Sequence, residues 1–179
     1  MMRILGKVMM TIAVMMILIS GSICSAQKIS VSDLSVENFV KVYNKIVIEH
    51  PNKINSIIID ESQRIIKNKN DIKMYFYPLR NSVNGNGTHI VFIVNKHNTI
   101  DAINITNNMV ETKKDTMFAY VTVLAALGLT KEDINYFSSM SEPKMKQVSP
   151  KKILVIGFKP AGPNHGLDEI IILAFDKFK

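Results

Sequence analysis

THIVFIVNKHNTIDAINITNNMVETKKDTMFAYVTVLAALGLTKEDINYF, residues 88–137, decides the fold. It opens with two apolar runs, 89–94 and 99–106, joined by the polar residues Asn95, Lys96, His97 and Asn98. Short runs rich in Ile, Val and Thr on either side of turn-forming residues read as a β-hairpin. From Ile90 to Val94 both faces are apolar, which predicts a central strand covered on both sides. The stretch 117–127 carries no charge and one aliphatic hydroxyl, Thr122, so it lacks the polar face of a surface helix. It is expected to be a helix buried nearly all round. Gly128 is its expected left-handed C-cap, and Thr130 with Asp133 predicts a capped second helix through about Ser138.

Towards the N-terminus, Val36, Phe39, Val40, Tyr43, Ile46 and Val47 recur at helical spacing, predicting a helix over about 36–49. Ser35 is its expected N-cap, Leu34 can pack on Phe39, and Pro51 disfavours helical backbone at His50. The segment 55–66 reads either as a short strand over 57–59 and a turn or as a continuous helix, with the strand favoured. Residues 71–79 predict a strand with Ile72, Met74 and Phe76 on one face and Lys73, Tyr75, Tyr77 and Leu79 on the other. Pro78 places that strand at an edge or ends it, and the two Asn-Gly pairs within 81–87 turn the chain.

Beyond the central stretch, 142–150 reads as a linker, followed by strands over 152–158 and 169–175. No sequence repeat of about 20–50 residues is visible. Strands grouped before and after helices, rather than alternating with them, predict an α+β fold. The expected architecture is a single domain with a largely antiparallel sheet of about five to six strands. An N-terminal helix, the central buried helix and the short helix pack on it.

The first 26 residues differ in kind. Arg3 and Lys7 precede the apolar run 8–19 and a small, polar stretch ending at Ala26, the layout of a signal peptide. The run is shorter than the roughly 20 residues of a membrane-spanning helix. Cleavage after Ala26 would leave 27–179 as a single exported α+β domain without a membrane span, in the periplasm, at the cell surface or outside the cell. Lipidation of Cys24 is the minor alternative, disfavoured by Ile23 immediately before it. Cys24 is the sole cysteine, so cleavage also removes disulfides and thiolate catalysis from consideration. The leader leaves the host open, with a bacterium favoured.

The net charge of +7 includes Arg3 and Lys7, and the remaining excess is scattered. There is no basic stripe interleaved with aromatics, so nucleic acid is not expected as a partner. The histidines form no HExxH or other close metal-binding spacing, and there is no G-x-S-x-G motif. No metal, cofactor or catalytic residue is therefore assigned. The matches to the N-glycosylation acceptor at Asn86 and Asn104 matter only in a eukaryotic secretory route.

The candidate binding residues are Tyr75, Tyr77 and Arg80, suited to stacking on a sugar or a partner side chain, with Asn164 and His165 in the final loop. The leading functional expectation is a non-enzymatic exported envelope protein that binds a protein or cell-surface component through a sheet edge and its loops. Apolar residues on both sides of the strands also permit a homodimer. The alternative is a small hydrolase or metal-dependent enzyme acting on envelope material, using His89, His97 and Asp101 or the His165 loop. A third reading is adhesion of anions or polysaccharide to the basic surface.

Overall fold

The computed structural model describes residues 27–50, 54–69, 72–109, 112–138, 142–159 and 168–176. The proposed leader and the candidates Asn164 and His165 lie outside the described residues. The fold is α+β, with three helices packed on one side of an eight-stranded antiparallel sheet. In chain order the elements are β1 (Lys28–Ile29), α1 (Val36–Glu49), β2 (Ile65–Lys69), β3 (Ile72–Pro78), β4 (Thr88–Val94), β5 (Ile100–Asn107), α2 (Lys113–Ala126), α3 (Lys131–Ser138), β6 (Lys144–Ser149), β7 (Lys152–Lys159) and β8 (Asp168–Asp176). The sheet order is β2-β3-β4-β5-β8-β7-β6, with β1 pairing the end of β8. Each half of the chain runs from helix to antiparallel meander, and the last strands of the halves, β5 and β8, meet antiparallel at the centre. No described helix is long and apolar enough to cross a membrane.

Local chemistry accounts for the helix ends. Ser35 Oγ accepts from the Asn38 amide, satisfying a donor that the first turn leaves free, and His50 is extended, as a residue before proline should be. Gly128, at φ +75°, closes α2. Its amide donates to Ala125 O, while the Leu129 amide reaches Leu124 O, so the carbonyls left over at the helix end are paired. Thr130 Oγ1 accepts from the Asp133 amide at 3.2 Å and starts α3.

The core lies between helices and sheet. Phe39, Val40 and Tyr43 of α1 and Tyr120, Val123 and Leu124 of α2 meet Ile90, Phe92, Ile103, Ile105, Ile170 and Ile172. Phe92 is clasped edge-on by Phe39 and Tyr77, with ring centroids 5.3 and 5.7 Å away. The Tyr43 and Tyr120 hydroxyls donate to the carbonyls of Ile57 and Phe137, and burial pushes both phenols well above their ordinary pKa.

The structure corrects several expectations. Tyr75, Tyr77 and Leu79 point into the core, while Ile72 is exposed and Met74 and Phe76 are half-buried on the opposite face. The pairing of Tyr75 with Phe92 and Tyr77 with Ile90 sets that register. Pro78 ends β3, whose outer neighbour is the edge strand β2. Within 55–66 there is neither a continuous helix nor a ladder strand over 57–59: two 3-10 turns, Asn55–Ile57 and Glu61–Gln63, flank the isolated Ile59–Leu79 bridge, and β2 starts at Ile65. Asn44 explains this, because its side chain pairs with both the N–H and C=O of Ile59 and so replaces a strand neighbour.

The expected linker contains strand β6. Its Lys146 reaches Asp133 of α3 at 2.5 Å and Lys144 Nζ donates to Tyr136 O at 2.6 Å, so residues that look solvent-directed tie an edge strand to a helix. Helix α2 is buried on one side only. Met117, Phe118, Val121, Thr122 and Ala125 remain half-buried, because the helices form one layer with nothing described above it. The two-sided coverage expected of β4 is likewise absent among the described residues.

Candidate binding surfaces

Four places in the molecule have the composition of a site. The first is the polar hub where the 81–87 turn meets the start of α2. Thr88, Asn107, Thr112 and Thr116 are buried there. Thr88 and Thr116 share a hydroxyl contact of 3.0 Å, Asn81 Nδ2 donates to Asp115 Oδ2 at 3.1 Å, and Thr112 Oγ1 donates to Asn107 Oδ1 at 2.6 Å. Asn108 Oδ1 accepts from the Gly87 amide at 2.7 Å. Gly87 has φ +122°, and a Cβ there would lie 2.7 Å from the Ser82 Cα. The hub's polar groups serve one another, so it fastens the fold.

The second is the histidine group. His89 opens β4 opposite Thr106, whereas His97 lies in the turn beyond the other end of the strand. Five residue steps of extended chain carry β4 from His89 to its end at Val94, which is about 17 Å. Asp101 Oδ1 accepts from Asn95 Nδ2 at 2.7 Å, and Asn95 Oδ1 accepts from the His97 and Thr99 amides, making Asn95 the organiser of the turn. The expectation that His89, His97 and Asp101 come within mutual reach is overturned by the hairpin register. His89 is half-buried, and desolvation holds its pKa below the usual histidine value. Among the described residues no three His, Cys, Asp or Glu side chains are grouped to hold a metal.

The third is a shallow apolar groove between α1 and α2, about 140 Å³ in volume, with Ile46, Ile54, Phe118 and Val121 among its lining. Ligand pockets usually begin near 300 Å³, so the groove admits a side chain rather than a whole small molecule.

The fourth is the sheet itself. On the side away from the helices, Phe76, Val91, Asn104, Ile171 and Gly157 lie in register across β3, β4, β5, β8 and β7. A second row continues through Met74, Ile93, Ala102, Leu173, Val155 and Met145. A polar row of His89, Thr106, Glu169 and Lys159 borders them. Most of these apolar side chains are half-buried, and among the described residues no element covers them. At the β2 edge Ile65 is 57 % exposed and Ile66 43 % exposed.

The chain matches no family model, no curated protein and no solved structure. The residues alone must carry the functional reading.

Of the sequence candidates, Tyr75 and Tyr77 are buried and present no stacking surface. Burial raises the pKa of the Tyr77 hydroxyl, and the Arg64 cation only partly opposes it. Arg80 is exposed in the turn after β3, and its charge is the least of the influences that lower the pKa of Asp60, behind hydrogen bonds from Ser62. The three are thus not brought together as one surface. Sequence reasoning missed the β2 edge. It touched the open face only in allowing that a second copy covers part of one side of the two-sided apolar strands, and it gave β4 a cover on both sides.

Proposed function

We propose that the protein is a non-enzymatic exported envelope protein that binds a protein partner by accepting a strand at the β2 edge. The observation that carries this reading is the contrast between the two free edges. An unpaired edge is a template for another chain, and lysines that block it are a common protection. On β6 Lys144 and Lys146 brace the strand against α3, and Met145 is its one exposed large apolar side chain. On β2 exposed Ile65 and Ile66 stand beside the open backbone, flanked by Lys67, whose ammonium sits 4.9 Å from the Phe76 ring centroid. Main-chain pairing supplies affinity in strand addition, and alternate side chains supply selectivity. Ile65 and Ile66 point to opposite faces and offer two apolar contacts.

The test is cross-linked recovery of the tagged full chain from its own host's envelope. A reproducible protein partner is expected, lost on changing Ile65→Lys with Ile66→Lys and retained in Lys41→Ala on the exposed side of α1. Equal recovery by the edge variant, or no partner, would overturn the proposal.

A further inference from the structure

The open sheet face has the size and anatomy of an interface. Strands about 4.8 Å apart, each some seven residues long at about 3.3 Å per residue, give the six strands from β3 across to β6 a footprint on the order of 700 Å². A standard interface takes about 800 Å² from each partner and combines an apolar centre with a polar rim. The apolar rows form such a centre and the His89 to Lys159 row such a rim.

One polar side chain interrupts the centre. Asn104 lies on β5, the middle strand in the order, between Val91 and Ile171. Its Nδ2 donates to Glu169 Oε1 at 3.2 Å, but its Oδ1 is buried with no hydrogen-bond partner. A primary amide carries two donor hydrogens and an acceptor, so after the Glu169 bond Asn104 keeps one donor hydrogen, while its acceptor, closed to water in the free chain, meets a partner only when the side chain turns outward. A facing primary amide satisfies both at once, and a second copy brings one at the same position. Two asparagine side chains meeting head to head span about 10 Å, the distance between packed sheets.

We infer that the open face is the interface of a homodimer whose twofold axis passes beside Asn104, so that the two Asn104 amides pair reciprocally. A twofold interface is self-complementary by construction, and one polar pair at the centre of an apolar contact fixes its register. This surface uses side chains where the β2 edge uses backbone, and although Ile65 borders the face beside Phe76, Ile66→Lys alone perturbs only the edge, so either proposal can fail without the other.

Sedimentation of the full chain purified from its host, between about 1 and 100 µM, at and above the micromolar limit of interfaces of this size, tests it. The native protein is expected to sediment as a dimer at the upper end. Leu173→Lys should abolish association, and Asn104→Asp should weaken it at least about tenfold at neutral pH, because like charges would face each other at the axis. Ile48→Lys, on exposed α1, should leave it unchanged, with circular dichroism confirming that each variant is folded. A monomer throughout, or a dimer indifferent to both face variants, would overturn the inference. So would a dimer lost with Ile66→Lys and retained with Leu173→Lys, which would be pairing through β2. A dimer broken by Leu173→Lys alone would remove Asn104 from the axis and overturn the amide pairing.

Discussion

The two faces of this sheet are built from similar residues and meet different fates. On one, Ile90, Phe92, Ile103, Ile105, Ile170 and Ile172 are almost wholly buried beneath α1 and α2. On the other, Phe76, Ile93, Ile171, Leu173 and Val155 remain half-buried. Ile171 and Ile172 are chain neighbours that differ mainly in which way the strand's alternation turns them. Hydrophobicity therefore tells where a surface must be removed from water; a helix, a second sheet or another molecule can remove it. The described helices cover one face, and among the described residues nothing covers the other.

The sharpest break of that comparison is Ile172→Ala against Ile171→Ala. The first should destabilise the fold by about 3–4 kcal/mol, through lost burial and the cavity left behind. The second should cost about 1 kcal/mol or less in dilute protein, where its side chain already meets water. Chemical denaturation measures both, and equal losses would contradict the asymmetry. Gly87→Ala strikes the hub that anchors the helix layer, with an expected cost of about 2–4 kcal/mol from the positive φ and the backbone contact at Ser82. An unchanged denaturation midpoint would show that the turn yields easily.

A smaller effect is expected where α3 meets β6. Lys146 and Thr130 hold the Asp133 carboxyl below its ordinary pKa, with the hydrogen bond from Lys146 the largest cause. A carboxyl whose pKa is lowered by folding stabilises the native state fully above its unfolded value, near 3.8, and loses that contribution as pH falls through the lowered value. Lys146→Ala should therefore cost about 0.5–1 kcal/mol at neutral pH, discounted because the lysine is partly in solvent. The difference from the native protein should shrink as acid titrates Asp133. A gap that widens in acid would contradict the assigned pairing.

Much of the fold was legible because its signals are local. Ser35, the proline after His50, Gly128 and Thr130 mark helix ends through backbone chemistry that involves a few neighbouring residues. The 89–94 and 99–106 runs announced their hairpin in the same way. What escaped depends on distant partners. The inward face of β3 is chosen by Phe92 and Ile90 across the ladder, so the tyrosines went to the wrong side. Strand β6 was hidden because its lysines find Asp133 and Tyr136 on α3. Asn44 reads as part of a solvated helix face, yet it holds Ile59 in place of a strand. Of the candidate sites, only the idea of an apolar surface shared with a second copy had a visible root in the sequence, in the two-sided strands. Asn104 had none, since an asparagine in a strand becomes informative only once its neighbours across the sheet are known.

The most direct test of the account is the thermal midpoint of the native protein over a hundredfold range of concentration. If a second copy covers the open face, mass action should raise the midpoint by several degrees from the dilute to the concentrated end, and Leu173→Lys should flatten that rise. A midpoint independent of concentration in the native protein would contradict it.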